Sequence, residues 1–287
     1  MVKKDLLQTK IERVFSKMSV RQKKIAHYIL KNYDKAAFLT AAKMGKEVGV
    51  SESTIVRFAD LLGYGGFPEL QDTLQNMVKE QLTTVNQLKR SIHKVNKSKN
   101  VLYQILQSDI ENLEKTMSKI SISSFEKLVS YILEADAIYI VGLRTATCVS
   151  LFFYQALSLF LRNVRSVNYG MEGLFEQIED INKGDLLIVI SFPRYTKVTV
   201  EILDLAIKKG AKTAAITDNV ISPIAQKADL ALIASSDLNS FVNSFTAPLS
   251  VVNAIVTAVS IKKGKQTFEK LTALEDIYAQ HNIFYYL

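Results

Sequence analysis

Residues 41–60, AAKMGKEVGVSESTIVRFAD, carry the densest structural signal in the chain. Met44 and Val48 are four apart and share one face of a first helix. Ile55, Phe58, Leu61 and Leu62 line one face of a second. Gly49 stands between them, where the chain must reverse and a positive φ costs glycine little. Val50 follows as an apolar plug, and Ser51 is placed to cap the second helix by accepting an orphan backbone N–H. Gly45 falls where the helices come closest, which permits the approach at a helix-propensity cost of up to ~1 kcal/mol. This is the layout of a helix-turn-helix. An αα-hairpin in a helical domain would share the apolar spacing, but not the coincidence of small-residue, turn and cap signals.

The second helix turns Ser51, Glu52, Ser53, Thr54 and Arg57 outward near its start. Short hydroxyls and a guanidinium in that place suit the major groove of double-stranded DNA. Glu52 fits less well, because a carboxylate near phosphates is unfavourable unless it caps its helix or accepts from a cytosine amine. Lys43 and Lys46 on the preceding helix are candidate phosphate contacts.

Charge supports a polyanion at this end. The 287 residues carry a formal net charge of +8, of which residues 1–80 hold +5, residues 81–127 hold +4 and residues 128–287 hold −1. The one cysteine, Cys148, excludes a disulfide framework and a multi-cysteine metal site. It lies in an apolar helical run and reads as a buried, inert thiol. No metal and no cofactor is expected. Met1–Lys10 is charged and lacks the apolar core of a signal peptide. Residues 238–261 are uncharged but contain Asn239, Asn243, Asn253 and Pro248, so they read as a buried helix, not a membrane span. A cytoplasmic location follows.

Residues 1–80 read as all-helical, with Ser19 capping a helix that carries Ile25, Ala26, Ile29 and Leu30. Gly63, Gly65, Gly66 and Pro68 mark a turn before a last helix through Leu70, Leu74 and Val78. Residues 81–127 read as a lysine-rich hinge and a connecting helix, with helical spacing over 101–133. Residues 128–268 form a second domain and 269–287 a helical tail. From 137 onward, short β-rich runs alternate with helical stretches: Ala137–Val141, Val164–Val167, Asp185–Ile190, Thr213–Thr217 and Leu230–Ile233, with helices expected over 146–161, 172–181, 196–209, 222–227 and 245–261. That grammar implies an α/β domain with a parallel sheet covered on both faces.

Ligands of such sheets sit at the carboxyl ends of strands. Gly142, Arg144 and Thr145 follow the first strand; Ser191, Arg194 and Thr196 follow the third; Thr217, Asp218 and Asn219 close the fourth. Hydroxyls at helix N-termini suit an anion. Arg144 and Arg194 could each add a bidentate clamp. Turn and cap geometry would explain any one of these residues alone; two arginines with hydroxyls on neighbouring loops point to an anion.

Taken together, these residues resemble the RpiR family of bacterial transcriptional regulators, in which an N-terminal helix-turn-helix domain precedes a SIS (sugar isomerase) domain. The resemblance rests on GVSESTIVRFADLLGYGGFPEL in the front and on IYIVGLRTA, DLLIVISFPRYTKVTVEILDLAIKKGAKTAAITDN and SPIAQKADLAL behind. It implies a five-stranded parallel sheet flanked by helices, a domain that dimerises, and sensing of a small molecule, commonly a phosphorylated sugar. Here Arg144 stands where a second glycine is usual and Ala146 where many members have serine. Pro193 and Arg194 interrupt the usual serine-rich loop, and proline removes an amide donor. The expected effector is thus a small anion, a phosphorylated sugar or a metabolite of different shape.

Two other functions fit the same chain. A sugar-phosphate isomerase would need a positioned base, for which Glu172, Glu176 and His281 are candidates; His27 falls in the helical front and His93 in the hinge. A back domain that only dimerises would bind no ligand. The regulator reading predicts a homodimer or tetramer on an inverted-repeat operator, with helix 245–261 and the tail Ile283-Phe284-Tyr285-Tyr286-Leu287 as candidate subunit contacts.

Overall fold

A computed structural model describes residues 2–81, 83–86, 88, 100–237 and 241–285. Most of the expected hinge, with His93, and also Asn239, Tyr286 and Leu287 lie outside the described residues. The chain divides into two compact units, Met1–Arg90 and Ser91–Leu287.

The first unit is helical: α1 (Val2–Val14), α2 (Val20–Lys31), α3 (Tyr33–Ala36), α4 (Ala41–Val48), α5 (Glu52–Leu61) and α6 (Phe67–Gln81). Leu7, Ile11, Ile25, Ile29, Met44, Ile55, Phe58, Leu70 and Leu74 fill its core. Ser19 caps α2 through a capping box with Gln22. Thr40 caps α4 by accepting the Lys43 N–H at 3.2 Å. Gln71 and Gln75 of α6 donate to the backbone oxygens of Leu39 and Ala37 at 2.9 and 3.1 Å, which fixes the approach to α4. Gly49 has the left-handed φ of +73° that the turn requires. Around it, the Val50 and Gly49 N–H groups bond back to Gly45 and Lys46 oxygens at 2.8 and 3.3 Å, a Schellman ending.

The second unit opens with α7 (Val101–Lys119) and α8 (Ile122–Glu134). A five-stranded, all-parallel sheet follows in the order β2-β1-β3-β4-β5, with β1 Ile138–Gly142, β2 Val164–Val167, β3 Leu186–Ile190, β4 Lys212–Thr217 and β5 Leu230–Ile233. α9 (Thr147–Ser158), α10 (Lys197–Lys208), α11 (Thr246–Lys263) and α12 (Lys265–Gln280) complete it. Alternate strand residues serve two cores. Ile138, Ile140, Ile188 and Ile216 meet Leu128, Phe153 and Ile255 on one face. Tyr139, Val141, Leu187 and Ala215 meet Ile202, Leu203 and Ala206 on the other. The strands read as unbroken apolar runs because both faces are covered.

Four expectations are corrected. The helical run 101–133 breaks at Ile120–Ser121, because the Ser121 hydroxyl accepts the Ser124 N–H at 3.2 Å and starts a new helix. Residues 172–181 hold only a 3-10 turn, Glu176–Ile178. There the Gln177 side chain accepts the Asn168 N–H and donates to Asn168 O, at 3.1 and 2.8 Å, and so props a loop. Residues 222–227 make turns, being too few to repay helix nucleation. Cys148 is exposed, although partial burial and no nearby cation push its thiol pKa up. Among the described residues no helix is long and apolar enough to cross a membrane.

A methyl group on Gly45 would lie 2.7 Å from the Val50 carbonyl oxygen, a backbone atom that cannot step aside. Gly45→Ala is therefore expected to destabilise the first unit by about 1–3 kcal/mol despite alanine's better helix propensity. Urea denaturation followed by far-UV circular dichroism reads this directly; an unchanged midpoint contradicts the close approach.

A reading helix and a loop cluster at the strand ends

In the first unit, α5 begins at Ser51, whose φ and ψ of −72° and 152° are those of an N-cap. The expected side-chain cap does not form. The Thr54 N–H already bonds the Ser51 backbone oxygen at 2.9 Å, and the Ser51 hydroxyl instead lies 2.8 Å from Thr54 Oγ1 and 3.0 Å from Ser53 Oγ. Three hydroxyls thus cluster at the start of the helix. Arg57 folds back, with Nε donating to Ser53 O at 3.2 Å. Ser51, Glu52, Ser53 and Arg57 are exposed and Thr54 is half-buried. Val56, exposed beside them, extends the face with an apolar contact that the sequence reading missed. On α4, Lys43 and Lys46 are both exposed. The chemistry available along this face is hydroxyl donors and acceptors, one guanidinium and one small apolar group, the repertoire that reads base edges and thymine methyls.

In the second unit the parallel register aligns the ends of three strands. Gly142 lies opposite Ile190, and Ile190 opposite Ile216. The loops leaving β1, β3 and β4 therefore start side by side. Gly142 is a packing residue: Thr147 Oγ1 and Ser150 Oγ donate to its oxygen at 2.9 and 3.2 Å, and a Cβ there would meet Ser150 Oγ at 2.9 Å. Arg144 and Thr145 are exposed beyond it. Ser191 is buried, Arg194 is exposed, and Thr196 is half-buried at the N-cap of α10 without a side-chain cap bond. Thr217 is fully buried, its hydroxyl donating to Asp218. Arg144, Thr145, Arg194 and Thr196 are thus the expected residues that reach open space here. Gly142, Ser191 and Thr217 support them from below.

Both arginines have left-handed backbones, with φ of +58° at Arg144 and +70° at Arg194. For a residue with a side chain this costs roughly 1–2 kcal/mol, and such strain concentrates at ligand sites. Arg144 keeps the backbone turn of a glycine while adding a guanidinium.

Three further features were not found from sequence. The Tyr195 hydroxyl donates to Asp218 Oδ1 at 2.7 Å, and Asn219 donates to Asp218 Oδ2 at 2.6 Å, tying the β3 loop to the β4 loop. Burial pushes the Asp218 carboxyl above the usual range, and burial followed by the Asp218 charge pushes the Tyr195 phenol well up. Thr199 in the first turn of α10 and Ser236 beyond β5 are 1% and 3% exposed, and their hydroxyls have no hydrogen-bond partner. An orphaned buried polar atom costs about 1–3 kcal/mol. No single-residue signal marks these positions, because the tertiary fold creates them. Among the described residues no cluster of three or more His, Cys, Asp or Glu could hold a metal.

Comparison with known proteins accounts for both units. The rpiR-family helix-turn-helix domain model matches residues 5–81, and the SIS domain model matches residues 131–258. The chain is 24% identical over 273 residues to the HTH-type transcriptional regulator HexR of Escherichia coli, covering 93% of this chain and 92% of HexR. The sugar isomerase domain of an RpiR transcription factor from Sphaerobacter thermophilus matches 61% of this chain and 98% of its own, with 26% identity and a TM-score of 0.59. The Vibrio vulnificus NanR protein, solved in complex with ManNAc-6P, shares the fold over 97% of this chain and 98% of its own, with a TM-score of 0.66 at 17% identity. Two domain models in sequence order, with full-length likeness to a named regulator, settle the assignment: the chain belongs to the RpiR family of helix-turn-helix transcriptional regulators that carry a SIS domain.

Proposed function

We propose that α5 reads an operator in the major groove through Ser51, Glu52, Ser53, Thr54 and Arg57, with Lys43 and Lys46 on the phosphates. We further propose that the strand-end loops of the second unit bind a small anionic metabolite, a phosphorylated sugar or close analogue. The chain would act in the cytoplasm as a homo-oligomer. The observation that carries the effector reading is the pair of left-handed arginines, Arg144 and Arg194, on loops that leave adjacent strands at one register. The unpartnered hydroxyls of Thr199 and Ser236 add hydrogen-bonding capacity in the same unit. NanR, which shares the fold, was solved with a phosphosugar. Catalysis is no part of the proposal: Glu172 and Glu176 are exposed, His281 ends α12, and HexR, alike over nearly the whole chain, is named a regulator.

Arg57→Ala is expected to weaken binding to a fragment of the gene's own upstream region about tenfold, equivalent to ~1.4 kcal/mol, within the range of one lost base contact. Gel-shift titrations at several salt concentrations check this. Lys43→Ala should weaken specific and non-specific DNA alike and flatten the salt dependence by about one charge.

Arg144→Gly separates binding from stability. It removes a guanidinium and relieves a left-handed backbone, so affinity for phosphorylated sugars should fall while folding stability rises by up to about 1 kcal/mol. Calorimetry against a panel of hexose phosphates, with thermal melts, reads both; unchanged affinity removes Arg144 from the site.

Asp218 gives a pH dependence whose sign follows from its raised pKa. Folding disfavours the ionised carboxylate, so its contribution to stability is fullest at low pH, where it is protonated, and declines as pH rises from the ordinary carboxylate range through the raised value. Asp218→Asn abolishes that component. The difference in melting temperature between wild type and variant should therefore change across that interval and be flat on either side.

A further inference from the structure

The faces of α7 are inverted for a surface helix. Its buried residues are Asn112 and Thr116. Asn112 Nδ2 donates to Asp237 O at 3.3 Å, and its Oδ1 accepts the Asp237 N–H at 3.0 Å. Thr116 Oγ1 accepts the Ser235 N–H at 2.8 Å, and Lys115 pairs with the Asp237 carboxylate at 2.7 Å. The polar face is thus stitched to the segment beyond β5. The apolar face is turned outward. Tyr103, Leu106, Ile110, Leu113, Met117 and Ile120 follow the alternating three-and-four spacing of a coiled-coil seam. Tyr103 is 70% exposed, Leu106 49%, Ile110 48% and Met117 79%. At its C-terminal end the stripe runs into an apolar groove of about 270 Å³ between α7, α8 and α11, floored by Phe125, Val251 and Ala254. A contiguous apolar patch of this kind marks an interaction surface.

We propose that two copies of the chain pair through this stripe, with their α7 helices antiparallel across a two-fold axis. The seam spacing fits another helix of the same spacing. Its N-terminal half is a ridge, Tyr103 and Leu106, and its C-terminal half opens into the groove. Antiparallel pairing sets Leu106 of one copy against Met117 of the other and Ile110 against Leu113. Each ridge then enters the partner's groove, and the contact closes on itself. Parallel pairing sets ridge on ridge and leaves both grooves empty. Asp109, Glu111 and Glu114 border the seam, which disfavours nucleic acid as the occupant. The inference deepens the oligomer element of the proposed function, but its test uses neither DNA nor effector, so the two can fail separately.

Light scattering on the full-length chain should give a wild-type mass of two chains or a multiple. Ile110→Glu with Met117→Glu, both exposed positions, should cut that mass by half or more while the fold persists in circular dichroism. In a Cys148→Ser background, Leu106→Cys together with Met117→Cys should form a covalent dimer on oxidation, and Leu106→Cys alone should not. A single-chain wild-type mass, or an unchanged mass in the double glutamate variant, overturns the proposal. So does an unchanged mass with a lowered melting temperature, which places the cover within one chain. Cross-linking by Leu106→Cys alone overturns the antiparallel geometry.

Discussion

The parallel register of β1, β3 and β4 is the constraint on which the second unit depends. Each of these strands buries side chains on both faces, so a slip of one residue would exchange the two cores completely. Buried carboxylates at the opposite end hold the register. Asp185 accepts the Ala137 and Asn182 N–H groups, each at 2.9 Å, and Asp229 accepts the Thr213 N–H at 2.8 Å. With the amino ends locked, the carboxyl ends align, and loops distant in sequence deliver Arg144, Arg194 and Asp218 to one edge. The strain at the two arginines is tolerable because the strands beneath cannot move to relieve it.

The first unit solves a different problem with a similar economy of means. Two short helices must cross closely and hold a fixed angle without a sheet. Gly45 supplies the closeness and the Gly49 ending supplies the angle. The same Schellman ending recurs at Gly63, where the Tyr64 and Gly63 N–H groups bond Ala59 and Asp60 oxygens at 3.1 and 2.9 Å, and again at Gly210. A left-handed residue after the last helical turn is encoded by one glycine and needs no distant partner. That is why these helix ends were legible in the sequence.

Legibility fell wherever the deciding partner is remote. The five strands and the helix-turn-helix could be read because periodicity and turn chemistry are local properties. Ser19 was read correctly as a cap, since its partner Gln22 is three residues away. Ser51 was read as a cap and is not one through its side chain, because two neighbouring hydroxyls compete for it. The loop at 172–181 looks helical in composition, yet Gln177 satisfies the backbone of Asn168 instead. The Tyr195–Asp218 bond joins residues 23 apart and the Asn112–Asp237 pair joins residues 125 apart. Arginines at strand ends can be guessed from strand positions, but their left-handed angles cannot.

The inversion of α7 explains why its apolar residues misled. Leu102, Leu106, Leu113 and Met117 signal a helix by their spacing, and an ordinary reading assigns that stripe to the helix's own core. The interior here is the polar stripe. Its partners lie near the effector loops: Ser244 donates to Asp109 of α7, while the adjacent Asn243 donates to Pro193 O at 3.5 Å in the loop that carries Arg194. One helix is therefore held on one side by hydrogen bonds that reach the strand-end loop and offers on the other side a seam for a second helix. A ligand that bound the loop in one geometry better than another would act on both through the same rigid element, and its leverage could not exceed that difference in affinity.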